Sequence, residues 1–530
     1  MRQRFWRDVA WLALGAASLA GCGGGDEGGY GTGGGSPNPG VGGSGGGFGV
    51  GGGGGGPPPE TELESSYGAP VATGKLVWVA NPTSGRVAYI DAVTLEINVV
   101  EAGNAPTVVA AVPDPEDDVA IVLNVLSHDA TLFRAKAGNI TAESFDVPSS
   151  GNAFAVSGDG HFVIAWTDSK LVENADPIDG FQDITVIDLT KSEGASSPLT
   201  VGYRPVAMGF DAQGTRAFAV TQDGITVIGL DGPAPEVVEN IDLGEVSQGD
   251  AVHQDVAITP DGSFALLRRE GDSTVGVLSL STGERTDVAL SGPVTDLDLS
   301  PDGKVAVAVV REKGEAVLLP LPEIAANPAA VSVIAIPEVV VGSAALPKNS
   351  PLAFLYTNAV QSSVLTTIDT TDATKPPAFF KLWAPIQAVF PTEDAAHAIV
   401  LHPAAEGSQY PAAMSVLPVA ADLPAKLAGL DGPPVSVAVA PGGHRALVAT
   451  GNESNPAYRL YVAAMPSLEV TSFKLASQPI SAGIVAGADR GYVAQKHPDG
   501  RITFVDFQTG ELRTLTGFEL ASQVVDGSGE

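Results

Sequence analysis

The 530-residue chain carries 61 acidic against 28 basic side chains, a formal charge of −33, and 44% of its residues are hydrophobic. So much apolar material supplies a large core and excludes disorder throughout; the acidic excess excludes nucleic acid, whose phosphates need a basic patch, and is repelled by an anionic membrane surface. The one cysteine, Cys22, leaves no disulfide, no cysteine metal site and no redox pair.

Arg2, Arg4 and Arg7 precede an apolar run from Val9 to Leu19 that is too short for a permanent span, so 1–21 reads as a secretory signal. The run ends in Leu19-Ala20-Gly21-Cys22, a tetrad that resembles the bacterial lipobox. The resemblance implies cleavage between Gly21 and Cys22 and lipidation of Cys22. Gly23 in place of an aspartate after the cysteine is similar to the outer-membrane class of lipoproteins, either periplasmic or surface-exposed.

Residues 22–74 then form the expected lipidated cysteine and linker. Glycine dominates 23–59, which ends in Pro57-Pro58-Pro59; such a stretch buries nothing and behaves as a flexible coil with a reach on the order of 30 Å. Within it Gly42-Gly43-Ser44-Gly45-Gly46 matches the hydrolase elbow G-x-S-x-G in letters only, because polyglycine supplies neither the strand before it nor the helix after it.

From Lys75 to the end (75–530) two units recur. The first is a short β-branched strand: VAYID (87–91), ATLFR (130–134), ITVID (184–188), ITVIG (225–229), VGVLS (275–279), AVLLP (316–320), LTTID (365–369), MSVLP (414–418), LYVAA (460–464) and ITFVD (502–506). The ten copies start about 46 residues apart, the length of one four-stranded propeller blade. The second is a strand that turns tightly and returns, as in VAITPDGSFALL (256–267), LDLSPDGKVAVAV (297–309) and VAVAPGGHRALVAT (437–450), with looser copies at 154–166 and 208–220. Asp-Gly between apolar runs marks a hairpin whose turn needs positive φ. Eroded copies stand in phase at PDPEDD (113–118), LPKNS (346–350), PTEDAAH (391–397) and AGADR (486–490).

No sustained 3.6-residue period competes with this pattern, so the expectation is an all-β propeller of about ten repeats in a ring of seven to ten blades. The two ends of the repeat region are expected to share a blade and so close the circle. These units resemble the bacterial YVTN and NHL-like propeller repeats, and Val77-Trp78-Val79-Ala80-Asn81 is the nearest form of the YVTN tetrad.

Candidate chemistry is sparse. His161, His397, His444 and His497 fall at turns, while His128 and His402 follow apolar strands, where a place facing the ring is open to them. No histidine pair has helical zinc spacing, and no cofactor or metal centre is expected. The longest insertion, 168–183, carries Asp176, Asp179 and Asp183, oxygen donors that suit calcium without the EF-hand grammar; the alternative is a solvated acidic loop. Function is expected to be a lipid-anchored, monomeric envelope scaffold that binds a protein or glycan partner. The rival is a propeller enzyme, lactonase- or lyase-like, with its site at the central channel.

Overall fold

A computed structural model describes residues 70–82, 84–136, 138–172, 178–191, 195–243, 254–404, 407–419, 423–497, 500–518 and 524–526. The signal, Cys22 and the glycine-rich segment lie outside them. The described chain forms ten antiparallel sheets, each built from consecutive strands: nine of four strands and a last one of five. The blades span 71–101, 106–146, 153–200, 205–242, 254–289, 296–335, 343–381, 388–430, 434–474 and 479–526. Helix among the described residues is confined to Glu323–Ala326 and a few 3-10 turns. All ten β-branched units of the sequence are third strands, one per blade, and the Asp-Gly hairpins join first strands to second strands.

Burial explains this grammar. Second and third strands are covered on both faces by neighbouring blades, so they read as unbroken apolar runs such as Val305–Val310 and Thr274–Ser279. Fourth strands lie outermost and alternate with solvent, as in Glu469–Lys474 and Glu236–Asp242. First strands of successive blades approach one another and form the inner wall.

Ten apolar clusters hold the ring, each made of residues from two adjacent blades. Blades 1 and 2, for example, interlock through Trp78, Val87, Ala120 and Phe133, and blades 5 and 6 through Leu266, Val277, Leu297 and Val317. The tenth cluster joins blade 10 to blade 1: Val485, Tyr492, Ile502, Phe504, Leu515 and Phe518 pack on Val77, Ala88, Ile90 and Ala92. The ring is therefore one closed circle of ten blades.

Closure departs from expectation in one respect: the chain ends do not share a blade. Blade 1 begins with its own short strand Val71–Ala72, and Val524–Asp526 adds a fifth strand outside blade 10. Side chains close the seam instead. The buried Tyr492 hydroxyl donates to the Pro70 carbonyl at 2.7 Å, Arg490 Nη1 donates to the Val93 carbonyl at 3.1 Å, and the Gly487 amide donates to the Gly74 carbonyl at 3.1 Å.

The hairpin turns repeat one device. A Ser or Thr hydroxyl donates to an Asp two residues on, at 2.6 Å for Ser157 to Asp159, Thr259 to Asp261 and Thr392 to Asp394 and 2.8 Å for Ser300 to Asp302. The Asp in turn accepts a backbone amide, that of His161, Ser263, Lys304 or Ala396. Partial burial pushes Asp261 and Asp302 up, but these donors outweigh it and hold both below the usual carboxylate value. The glycine that follows adopts positive φ, +72° at Gly160, +64° at Gly262 and +70° at Gly303.

The glycines also let each turn sit on its neighbour. A Cβ on Gly160 would lie 1.8 Å from the Pro113 carbonyl oxygen of blade 2, whereas one on Gly271, also at positive φ, would meet nothing within 4 Å. Gly271→Ala is expected to cost about 1–2 kcal/mol for its left-handed backbone, and Gly160→Ala about 1–3 kcal/mol more for overpacking. Urea denaturation of both variants checks this; equal losses would mean that the turn is not pressed against the next blade.

Candidate functional site

The two faces of the ring differ in construction. One carries the first-to-second turns, short and packed turn on turn, and the third-to-fourth connections, of which 321–331, with the helix Glu323–Ala326, and 370–377 are longer. The other carries the second-to-third loops and the links between blades, which hold the long segments 167–182, 404–411 and 451–458. Exposed large apolar residues in connections concentrate on this looped face: Leu126, Leu171, Ile178, Val340, Trp383 and Tyr410, against Val93 and Leu423 on the turn face. Residue 70, where the described chain begins, also enters from the looped face.

The inner wall is chemically plain. The only ionisable side chains on the ten first strands are Asp255, Asp296 and Asp298, all on blades 5 and 6. Asp255 pairs with the buried Arg268, whose Nε lies 2.9 Å from Asp255 Oδ2 and whose Nη1 donates to the Val294 carbonyl at 3.0 Å. Asp296 Oδ2 accepts the Ala344 amide of blade 7 at 2.6 Å, and Ser436 Oγ likewise accepts the Ala482 amide of blade 10 at 3.0 Å. The Asp296 and Ser436 contacts tie first strands of neighbouring blades together, while Asp255 is held within its own blade. Among the described residues no histidine lies on a first strand to complete an acid–base pair with them.

The described histidines sit away from that wall. His161 Nδ1 lies 3.0 Å from Asp159 within its own turn, and His444 Nε2 lies 3.0 Å from Asp489 across the seam between blades 9 and 10. His128 takes a φ of +57° in a loop turn. His402, for which a place facing the ring was open, is instead buried in the second strand of blade 8. Its Nδ1 lies 2.8 Å from the Pro385 carbonyl and its Nε2 2.7 Å from Ser415 Oγ. A carbonyl only accepts, so Nδ1 carries the proton and Nε2 accepts from the serine.

Two clefts open on the looped face. The first, of about 370 Å³, lies between Pro148-Ser149-Ser150 and 179–183. It brings Asp179 and Asp183 together, while Asp176 lies outside the described residues. Asp183 accepts from the Thr200 hydroxyl at 3.4 Å, and the Asp179 carbonyl accepts from Arg204 Nε at 2.9 Å. No group of three potential metal ligands occurs among the described residues.

The second cleft, of about 210 Å³, is lined by Trp383, Tyr410, Leu427, Gly429 and small residues of blade 8 and of the link that leads into it. The sequence reading did not single it out. The Trp383 loop is pinned on both sides: the Leu382 amide donates to the Ser363 carbonyl, the Ile386 amide donates to the Ser362 carbonyl, and His402 holds Pro385. Trp383 is nonetheless 72% exposed. The Tyr410 ring lies flat on the outer strand at Gly429, where a Cβ would come within 2.6 Å of three ring atoms.

Comparison with known proteins supports the fold alone. No family model and no curated protein matches the chain. Among solved structures, that of a eukaryotic initiation factor aligns at 13% identity and a TM-score of 0.50, covering 75% of this chain and 94% of that one. The dihydro-heme d1 dehydrogenase NirN aligns at 16% identity and a TM-score of 0.38, covering 75% and 72%. A β-propeller domain of Cps50 (Swd1) from Myceliophteria thermophila aligns at 15% and 0.32, covering 59% and 96%. The ten sheets closed into one circle make the chain an all-β ten-bladed propeller, the fold that the repeats predict.

His402 gives a pH test of the site. Burial lowers its pKa below the ordinary 6.5, against the opposite pull of the Pro385 and Ala384 carbonyls. The unfolded chain therefore binds this proton more readily than the fold does, so the stability His402 contributes is complete above pH 6.5 and is lost as pH falls below it. The stability difference between wild type and His402→Gln, measured by denaturant titration from pH 8 to 5, is expected to shrink as pH falls. A constant difference would place the imidazole in water.

Proposed function

We propose that this protein is a lipid-anchored binding scaffold of the cell envelope, probing its surroundings through the looped face of a rigid ten-bladed ring. The observation that carries this reading is the asymmetry of the faces. Exposed Leu126, Val340, Trp383 and Tyr410 share one face, while the connections of the opposite face, short or long, expose only Val93 and Leu423 among large apolar side chains of the described residues. Large exposed apolar side chains on loops of a rigid scaffold are characteristic of recognition surfaces. Tight turn-on-turn packing leaves little there to recognise.

The lipobox Leu19-Ala20-Gly21-Cys22 supports attachment by lipid to the outer membrane. No helix among the described residues is long and apolar enough to cross a membrane. The rival reading, a hydrolase or lyase at the channel, finds on the first strands only carboxylates, two of them engaged by Arg268 and by the Ala344 amide.

Two experiments test the proposal. Cells fed labelled palmitate are expected to label the wild-type chain and not Cys22→Ala; a Cys22→Ala chain that still labels refutes the anchor. Binding of the purified chain to immobilised envelope extract is expected to fall at least ten-fold in Leu126→Asp/Val340→Asp and to be unchanged in Val93→Asp/Leu423→Asp. The reverse pattern would assign recognition to the turn face.

A further inference from the structure

We propose that the Trp383–Tyr410 cleft is a subsite for one pyranose ring of an uncharged glycan. This rests on the reading of the looped face as a recognition surface and names what its blade 8 sector takes.

The backbone that carries Trp383 and the ring of Tyr410 are held in place before any ligand arrives. Trp383 stands on a loop clamped by backbone hydrogen bonds at Leu382 and Ile386 and by the buried His402. Tyr410 is pressed against a strand that has no side chain at Gly429, and its amide donates to Ser408 Oγ at 3.0 Å. Rigid aromatic contact of this kind costs little conformational entropy on binding. Yet nothing in the fold uses it: Trp383 is 72% exposed, whereas Trp78, which serves the core, is wholly buried.

The lining chooses among ligands. In a chain with a formal charge of −33, the described residues of the cleft carry no charged side chain. Among the described lining residues neither a cation nor an anion has a counter-charge, and the acidic body repels anionic ligands. The electron-rich ring faces attract weakly positive C–H groups, which one face of a pyranose presents in a flat array. Ser408 Oγ, having accepted the Tyr410 amide, keeps its proton to donate to a sugar hydroxyl or ring oxygen. The volume of about 210 Å³ is below the roughly 300–1,000 Å³ of drug-sized pockets and suits a single ring. An extended proline-rich peptide also docks on aromatic side chains, but it needs a groove that continues along the chain.

The full chain, purified in detergent, is titrated with cello-, chito-, malto- and laminari-hexaose and with a proline-rich decapeptide, following tryptophan fluorescence. At least one oligosaccharide is expected to shift the emission with millimolar or tighter affinity, and the peptide is not. Trp383→Ala is expected to weaken that binding at least ten-fold. Gly429→Ala, whose Cβ displaces the Tyr410 ring without backbone strain, is expected to weaken it several-fold with the circular-dichroism spectrum unchanged.

No response to any oligosaccharide, undiminished binding by Trp383→Ala, or binding of the peptide in their place would each overturn the proposal. If the Trp383→Ala chain is still retained by envelope extract through Leu126 and Val340, the subsite fails and the broader reading stands. If wild type is retained by neither sugar nor extract, both fail.

Discussion

The structure depends on a single constraint: each sheet is apolar on both faces and can bury them only between two other sheets. One blade, or any open row of blades, leaves two such faces in water. Burying a large aliphatic or aromatic side chain is worth about 1.5–3 kcal/mol, so the exposed ends of an open row would be costly. Closing the row into a circle removes them. The tenth cluster, in which Tyr492 and Phe504 meet Val77 and Ile90, is the contact that turns ten repeats into one domain, and it does so without exchanging a strand.

The two faces follow from the same constraint. Hairpin turns between first and second strands are drawn into the inter-blade packing, and the positive-φ glycines at Gly160 and Gly303 are where neighbouring backbone or proline comes closest. The first-to-second turns have little slack for variation. The other face connects strands already fixed by the core, so loops such as 167–182 and 404–411 lengthen freely and present side chains that packing does not claim. A scaffold for recognition therefore arises on one side of the ring.

Much of the fold was legible because repetition averages over erosion. The third strands repeat a β-branched run that burial on both sides demands, and Asp-Gly marks the turns where positive φ is required. Even the eroded copies keep their phase: Ala395 and Asp489 take the positive φ that glycine holds elsewhere. The seam was not legible. A strand of two residues, Val71–Ala72, has no period to detect, and whether two chain ends share a sheet or abut as separate sheets depends on packing alone. The sequence equally gives no sign that Trp383 is exposed while Trp78 is buried, since both sit beside apolar neighbours. His402 was visible as a residue at the end of an apolar strand, but its duty as a clamp on the Pro385 loop is set by a strand 17 residues away from that carbonyl.

The seam also fixes where load enters the ring. The 69 residues ahead of Pro70 join the described fold at the innermost and shortest strand of the circle, next to the one blade interface that the covalent chain does not cross. Tension along that segment acts first on the Tyr492–Pro70 hydrogen bond and on two residues of ladder. Blade 1, on which it acts, is held on one side by the seam cluster and on the other by Trp78 and Val87 packed against blade 2. A ring closed by an exchanged strand would meet the same pull in shear across a whole sheet. This one meets it first with a single hydrogen bond and a two-residue ladder.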